Sequence, residues 1–562
     1  MPLHGTPDEV AGLGTHPTVS VCPDTQHRPE AGKRMSSRPT PEAESHNRRA
    51  QGLWEEGRCD DAIQAWREGH ALEPDHVGTL LNLAWALARL GRVAEALPLG
   101  QQAVQLSPGD WHAHHALGHV HYQAGRFAEA AAEYSEAVEA GGTDPLLHCD
   151  LGDALYSEGR FAEAATAYSA TVAEEPEDAY AHLWLGWSLH QLAMAGASAP
   201  AQQDASRVGA QHAVPLHAQQ DAAKHFERAL TLAPEWAEAL YAVGQTCSAT
   251  GGFARARRLL EAALRSYPDE DEEGRAAAAC ELGNALRGLG ELERAADLYQ
   301  QALGLDPTHP TARFNLGLTY GDLEEYEKAV AQFDIVAQLD PEDADALVEK
   351  AGCWLALGRH DEAASGYQAA LEARPEFAEA FGGLGLAYYM MGLYDLSAEQ
   401  YQRAVGLAPD DPWPHYNLAL AYEAAGRHAE ADGCCEQALS LGSSDGELCA
   451  SVARALIAHG RSPEAAIGAA RLAVAAEPEN AGAQDALAMA LYSSGNHKAA
   501  LGPAKEAVRL APEVAEYAYD LGLVHEANGE AGRARESYHR AVELAPDFEE
   551  AREALRRLDE GV

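Results

Sequence analysis

The sequence predicts an all-α solenoid, a stack of about fourteen helix-turn-helix repeats followed by a C-terminal capping helix. Residues 145–178 show the unit: an apolar helix ends at Gly159, a second helix faces back, and Pro176 closes the 34-residue stretch, because proline cannot continue a helix. Small side chains recur where the two helices cross: Gly or Ala in the first helix, and in the second Ala in thirteen units and Ser397 in the other. The closing position recurs at Pro74, Pro108, Gly142, Pro176, Pro234, Pro268, Pro307, Pro341, Pro375, Pro409, Ser443, Pro478, Pro512 and Pro546. A fixed period of this kind predicts a solenoid.

The same stretch resembles the tetratricopeptide repeat (TPR) pattern W-x2-L-G-x2-Y, A-x3-F, P. The matching positions are Leu151, Gly152, Leu155, Ala164, Tyr168 and Pro176, with His148 in the tryptophan position. The resemblance covers residues 43–559 and implies a right-handed superhelix, similar to the TPR region of O-GlcNAc transferase but without its catalytic domain. We expect Gly152 and Ala164 to lie where the helices cross, so that a larger side chain would cost about 1–3 kcal/mol.

The repeats divide the chain into five segments. Residues 1–42, rich in Pro, Thr, Ser and Gly, are expected to be a disordered tail, with Met35 an alternative start. TPRs 1–4 and the first helix of TPR 5 occupy 43–192, and 193–217 is a low-complexity insertion loop, of a length that is usually functional or disordered. The second helix of TPR 5 and TPRs 6–14 occupy 218–548, and 549–562 form the capping helix and tail.

Charge narrows the classes of partner. The chain has 87 acidic and 41 basic residues, a net charge of −46. Such a field repels phosphate backbones, so a nucleic-acid partner is not expected. Basic or apolar segments of other proteins are favoured as partners, although an acidic surface also serves simply to keep a long solenoid in solution. The oligomeric state is not indicated.

Several patterns bear on compartment and origin. No apolar run approaches the ~20 residues of a membrane span, and the N-terminus lacks the pattern of a signal peptide, so a cytoplasmic protein without membrane insertion is expected.

The nine cysteines are scattered and lack CxxC pairing, which favours reduced thiols; a redox role for Cys434, Cys435 and Cys449 is the alternative. Only six of the basic residues are lysine, an arginine bias typical of GC-rich bacterial genomes.

The motifs of enzymes are missing from the sequence. It contains no Walker A sequence, no GxGxxG after a strand, no HExxH and no nucleophile elbow. We therefore expect a non-enzymatic protein without a cofactor.

Aromatic, histidine and acidic residues follow one stripe of the first helices of repeats two to five. In TPR superhelices this face lines the concave groove, and exposed aromatic side chains at such density usually mark a binding surface. The alternatives are packing between neighbouring repeats and coverage by the 193–217 loop. The predicted peptide-binding groove comprises Trp85, His112, His115, His119, Tyr122, Asp150, Asp153, Tyr156, Tyr180, Trp184, Trp187 and His190.

A second groove is predicted in repeats eight to eleven, with burial between repeats as the alternative. Asparagines at the sixth position of the first helix resemble fragments of the ladder that grips peptide backbone in O-GlcNAc transferase. The carboxylate clamp of co-chaperones is not expected, since this groove has almost no Lys or Arg. The second set comprises Phe314, Leu318, Tyr389, Trp413 and Tyr416 with Asn82, Asn315 and Asn417.

These patterns predict an interaction scaffold that binds extended peptide segments in the concave groove. One alternative is a metal-binding or metal-delivery protein that uses His112, His115 and His119, because imidazole nitrogens on one helical face suit zinc, copper or nickel. Another is a partner that recruits substrates for a separate enzyme.

Overall fold

The computed structural model describes residues 40–197, 213–458, 460 and 462–560. The predicted tail (with Met35 and Cys22) lies almost wholly outside these residues, as does most of the predicted insertion loop. Within the described residues the chain is helical, without strands, and it divides into two compact units between Thr319 and Tyr320. The two units are described separately.

The first unit holds fifteen described helices, which alternate between the first and the second helix of a repeat. The last of the fifteen, α15, extends just past the division. They are α1 Pro41–Glu55, α2 Cys59–Leu72, α3 Val77–Arg89, α4 Val93–Leu106, α5 Trp111–Gln123, α6 Phe127–Glu139, α7 Pro145–Ser157, α8 Phe161–Glu174, α9 Ala179–Ala197, α10 Ala213–Leu232, α11 Ala237–Ala249, α12 Phe253–Ser266, α13 Glu272–Gly288, α14 Leu292–Leu305 and α15 Pro310–Asp322.

The second unit continues the alternation and ends in a single helix. Its helices are α16 Tyr326–Leu339, α17 Ala344–Ala356, α18 His360–Ala373, α19 Ala378–Met390, α20 Tyr394–Leu407, α21 Pro412–Ala424, α22 His428–Leu441, α23 Gly446–Ala458, α24 Pro463–Ala476, α25 Ala481–Ser493, α26 His497–Leu510, α27 Ala515–Ala527, α28 Ala531–Leu544 and α29 Glu549–Glu560.

Helix pairing confirms the predicted fold class, an all-α solenoid of TPR-type repeats. Within each unit, an odd-numbered helix that is followed by another helix packs most closely on that helix, and each pair packs on the next pair. Twenty-eight described helices precede α29, the predicted capping helix, which is the number that fourteen repeats require. None of the described helices is both long enough and apolar enough to cross a lipid bilayer.

Turn chemistry explains the helix ends. A glycine in the left-handed region, such as Gly159 with φ of 78°, separates the two helices of most pairs, because residues with a Cβ rarely adopt that conformation. The eighth pair has Glu324 there, with φ of 60°. Many odd-numbered helices begin at a side-chain cap, as where Asp144 accepts a hydrogen bond from the Leu146 amide over 3.0 Å.

Crowding at the predicted crossing positions comes from aromatic rings. A Cβ placed on Gly152 would lie 2.7 Å from the ring of Tyr168 on α8, and one on Gly118 would lie 2.7 Å from Tyr134. Ala164 is fully buried beside this contact. The small residue of the first helix therefore makes room for the large one of the second.

Three helix ends differ from those predicted. Helix α1 begins at Pro41, inside the segment assigned to the tail. Helix α9 continues to Ala197, and α10 begins at Ala213, so the fifth repeat extends further toward the insertion than 192 and 218. The insertion is rich in Ala and Gln, and both are good helix formers.

Candidate functional site

Four consecutive odd-numbered helices carry the predicted groove residues, here called the aromatic face. Trp85 lies on α3, and His112, His115, His119 and Tyr122 lie on α5. The remaining members are Asp150, Asp153 and Tyr156 on α7, and Tyr180, Trp184, Trp187 and His190 on α9. All twelve belong to the first unit, and ring contacts and hydrogen bonds join many of them across neighbouring helices.

Trp85 and His119 form one end of the aromatic face. Their ring centroids are 6.2 Å apart, and the Arg89 guanidinium lies 5.0 Å above the Trp85 ring. The Nε2 atom of His119 is buried without a hydrogen-bond partner among the described residues. Burial of the imidazole lowers the pKa of His119 to about 4, because the charged form loses its hydration.

His115 and Asp150 form a polar spot in the middle of the aromatic face. The His115 Nε2 atom lies 2.6 Å from Asp150 Oδ2, which joins α5 to α7. Their side chains are 27% and 35% exposed. A carboxylate is therefore held at the surface between aromatic rings, where a positively charged group can approach it.

Asp153 connects the helices that carry the aromatic face. Its carboxylate accepts hydrogen bonds from the hydroxyls of Tyr168, at 2.6 Å, and Tyr180, at 2.9 Å. Burial and the nearby Asp150 charge raise the pKa of Asp153 to about 7, although the two hydroxyl donors act in the opposite direction. Asp153 therefore ties α7 to α8 and α9, which fixes the helices that present the face.

Rings on α9 form the other end of the aromatic face. Trp184 packs edge-on against Tyr156, with centroids 5.1 Å apart, and is 6.0 Å from Tyr180. Trp187 lies 5.0 Å from Phe226 of α10 and 5.7 Å from His190. Tyr180 and Trp187 are only 8% and 9% exposed, so these two rings belong to the core, and the other ten members remain partly exposed.

The histidines have separate partners. His112 lies 2.8 Å from Asp110, the residue that caps its own helix, whereas His115 pairs with Asp150 and His119 stacks on Trp85. Across the described ranges, no group of three or more His, Cys, Asp or Glu side chains is arranged to hold a metal ion. The metal-binding alternative therefore gains no support from the geometry.

The predicted second groove is divided between the two units. Phe314, Leu318 and Asn315 lie on α15 in the first unit, where the Asn315 side-chain amide donates a hydrogen bond to Asn284 Oδ1 over 2.8 Å. Asn82 lies on α3, next to the aromatic face. In the second unit Trp413 and Tyr416 of α21 contact each other at 6.0 Å, with Asn417 beside them, and Tyr389 of α19 packs on Tyr394 at 5.4 Å.

Sequence reasoning missed three tryptophans that extend the aromatic face. Trp54 of α1 lies 5.6 Å from Trp85, Trp111 lies 3.8 Å from His112, and Trp236 stacks on Tyr180 at 6.4 Å. Trp54 lies two 34-residue periods before Tyr122, so extension of the predicted stripe to repeat one would have found it. Trp111 and Trp236 precede the stripe positions, and only the packing places them there.

Comparison with family models gives a consistent result along the chain. A tetratricopeptide repeat model matches more than half of the residues, at 47–110, 149–205, 314–373, 361–412, 451–512 and 486–547. Further models of the same repeat match 283–324, 87–149 and 412–437. None of the curated proteins that were compared matches the chain.

Solved structures show likeness at low sequence identity. The APC/C hetero-tetramer Cut9-Hcn1 is 14% identical, with 92% of this chain and 96% of that chain covered and a TM-score of 0.36. The MamA protein is 24% identical over 32% of this chain and 96% of that one, with a TM-score of 0.29. A tetratricopeptide repeat protein from Parabacteroides merdae is 19% identical over 57% of this chain and 98% of that one, with a TM-score of 0.34.

Proposed function

Because the chain belongs to the tetratricopeptide repeat family, whose arrays generally mediate protein–protein interactions, we propose that its aromatic face binds extended segments of partner proteins. The chain would act as a non-enzymatic scaffold, with α3, α5, α7 and α9 supplying the contact surface. The observation that carries this proposal is a row of partly exposed aromatic rings on four consecutive odd-numbered helices.

Ring geometry supports an anchoring role. Trp and Tyr provide large, rigid contact area, and such residues contribute most of the binding free energy at many interfaces. Trp85, Tyr156 and Trp184 are held by neighbouring rings and stay partly exposed. A partner side chain that packs on them would therefore meet a surface that loses little conformational freedom on binding.

Charge supports a preference among segments. Asp150 is a partly exposed carboxylate within the aromatic face, and the chain carries a net charge of −46. Acidic surroundings favour the approach of basic segments and oppose that of acidic ones. Segments that combine lysine or arginine with apolar residues are the proposed ligands.

A pull-down with mass spectrometry tests the proposal. The double variant Trp85→Ala/Trp184→Ala removes two partly exposed anchors and leaves the buried Trp187 in place. We expect specific partners to be lost, because anchor residues of this type cost about 2 kcal/mol or more when truncated. The identity of the captured proteins also distinguishes a general scaffold from one that recruits substrates for an enzyme.

Phe253→Ala is the matched control. Phe253 is a partly exposed aromatic residue at the start of α12, away from the aromatic face. The control should retain the partners, and circular dichroism should show equal helicity for both variants. Partners that persist on the folded double variant would refute the proposal.

A further inference from the structure

Four large apolar side chains of the second unit are exposed close together in one repeat. Elsewhere in the described ranges, large exposed apolar residues occur singly, mostly at the last residue of a helix or in a turn. The four, here called the apolar patch, are Leu386, Met390, Leu393 and Leu396, which are 43%, 56%, 41% and 43% exposed. Together they expose on the order of 300 Å² of apolar surface, a size at which a patch often marks an interaction site.

Backbone geometry brings the four side chains of the apolar patch together. Leu386 and Met390 lie about one turn apart on α19, so they share a face of that helix. Leu393 is the N-cap residue of α20, and Leu396 is its third residue. The Leu393 amide donates a hydrogen bond to the Tyr388 carbonyl over 2.9 Å, which holds the start of α20 against the end of α19. The patch therefore crosses the turn between these two helices.

The neighbouring repeats have an ion pair where this repeat has two leucines. On α18 the N-cap residue is Arg359 and the third residue is Glu362, and the Arg359 Nε donates a hydrogen bond to Glu362 Oε1 over 3.0 Å. Arg427 and Glu430 pair in the same way at the start of α22. Asp395 adds one carboxylate, 3.8 Å from Arg427. The border of the apolar patch is therefore almost neutral, although the chain has a net charge of −46.

Met390 lies between two small residues of the neighbouring repeats. It is the last residue of α19, and the last residues of α17 and α21 are Ala356 and Ala424. All three residues are exposed, so a long side chain is flanked on both sides by short ones at the same helix position. A projecting side chain beside a depression is a shape that can fit a rotated copy of itself.

We propose that the apolar patch docks on the apolar patch of a second copy of this chain and forms a two-fold dimer. A two-fold interface brings the same surface of both copies together, so the leucines of one copy are buried against those of the other. Each flanking ion pair has one positive and one negative group, so a two-fold axis can set its arginine against the glutamate of the other copy. A strongly basic or acidic segment gains no comparable match from an almost neutral border.

The dimer is expected to be weak. Two patches of this size supply about 600 Å² of apolar surface, and their borders bring the total near the lower limit of about 1,200 Å² for stable interfaces. The two copies also repel each other, since each carries a net charge of −46, and salt screens that repulsion. We therefore expect a dissociation constant in the micromolar range and tighter association at higher salt.

Sedimentation velocity of the full chain tests the proposal. Samples that span the micromolar range are compared in reducing buffer, which excludes disulfide-linked dimers, because the described cysteines are free thiols. The sedimentation coefficient of the wild type should rise with concentration toward that of a dimer, as mass action requires. At a fixed concentration it should rise further when salt is added.

Leu393→Arg/Leu396→Glu gives this repeat the ion pair of its neighbours and leaves the net charge unchanged. The variant should fold, since the starts of α18 and α22 already accommodate such a pair. It should weaken association by at least about tenfold, because the new charges would lose their hydration at the centre of the interface. Two controls should dimerise as the wild type does: Leu339→Gln, at an exposed leucine that ends α16, and Trp85→Ala/Trp184→Ala on the aromatic face.

Three results would overturn the proposal: a wild type that stays monomeric throughout the range, equal dimerisation of Leu393→Arg/Leu396→Glu, or loss of the dimer in Trp85→Ala/Trp184→Ala. Thermal melts by circular dichroism establish that the variants fold. If Leu393→Arg/Leu396→Glu melts early, Met390→Gln decides the question. Met390 is the most exposed member of the apolar patch, and its replacement should also weaken the dimer.

Discussion

Single residues on the aromatic face differ in what surrounds them. Asp153 and Trp187 are held by hydrogen bonds or packing inside the repeats, whereas Trp85, Tyr156 and Trp184 keep part of their surface exposed. The sequence places all five on the same stripe because helical spacing fixes the direction of a side chain. It does not reveal burial, which depends on the ring that the neighbouring helix inserts: Phe226 covers Trp187.

His119 should make the first unit sensitive to acid. Its folded-state pKa of about 4 lies below its usual value of 6.5, so its contribution to stability is complete above pH 6.5 and is lost as pH falls toward 4. Urea denaturation followed by tryptophan fluorescence should show that His119→Gln loses less stability than the wild type between pH 7 and about 4.5, by on the order of 2 kcal/mol.

His539→Gln is the control for this experiment. His539 is exposed on α28 in the second unit, and its replacement should leave the wild-type pH dependence unchanged. Equal acid sensitivity of His119→Gln and the wild type would show that His119 does not cause the loss of stability at low pH.

Several helix pairs are held together by a small residue in the first helix and a large one in the second. The period, the closing prolines and the glycine turns predict fourteen pairs, because each follows from backbone chemistry that sequence displays directly. Glu324 shows where that reasoning ends, since it adopts the left-handed conformation although glutamate does not favour it. The helix ends at Ala197 and Ala213 were missed for a related reason: composition suggested a loop although the residues favour a helix.

Gly152→Ala tests the fit between paired helices. Its new Cβ would lie 2.7 Å from the Tyr168 ring, and such overpacking should destabilise the first unit by about 1–3 kcal/mol. Gly304→Ala on α14 is the matched change, since no atom lies within 4 Å of its Cβ position, and it should stabilise the unit by about 0.5–1 kcal/mol. Denaturant titration measures both, and equal effects would contradict the assigned contact.

Each unit as a whole is built from neighbour contacts. Within each unit, the main contacts of each described helix are with helices close to it in sequence, and stability in such arrays is approximately a sum of local terms. The two units could not be predicted from sequence, because the repeat pattern continues through Thr319 and Tyr320 without a break.

Local contacts predict local unfolding. Trp187→Ala removes a ring that packs on Phe226 and Tyr241. Truncation of a buried aromatic residue to alanine lowers the free energy of unfolding by about 3–5 kcal/mol. Hydrogen exchange with mass spectrometry should show faster exchange in α9, α10 and α11, and unchanged exchange in α23 to α28. A uniform increase along the described chain would show that unfolding is global instead.

Site-specific photo-crosslinking tests the central claim, partner binding at the aromatic face, most directly. A benzophenone amino acid is placed at Trp184 on the face, or at the exposed Glu129 of α6 as the control, and each protein is irradiated with a partner recovered in the pull-down. We predict an adduct at position 184 that maps to an extended segment of the partner, and none at 129. Adducts at 129 alone, or at neither position while the complex persists, would contradict the assignment of the aromatic face as the binding surface.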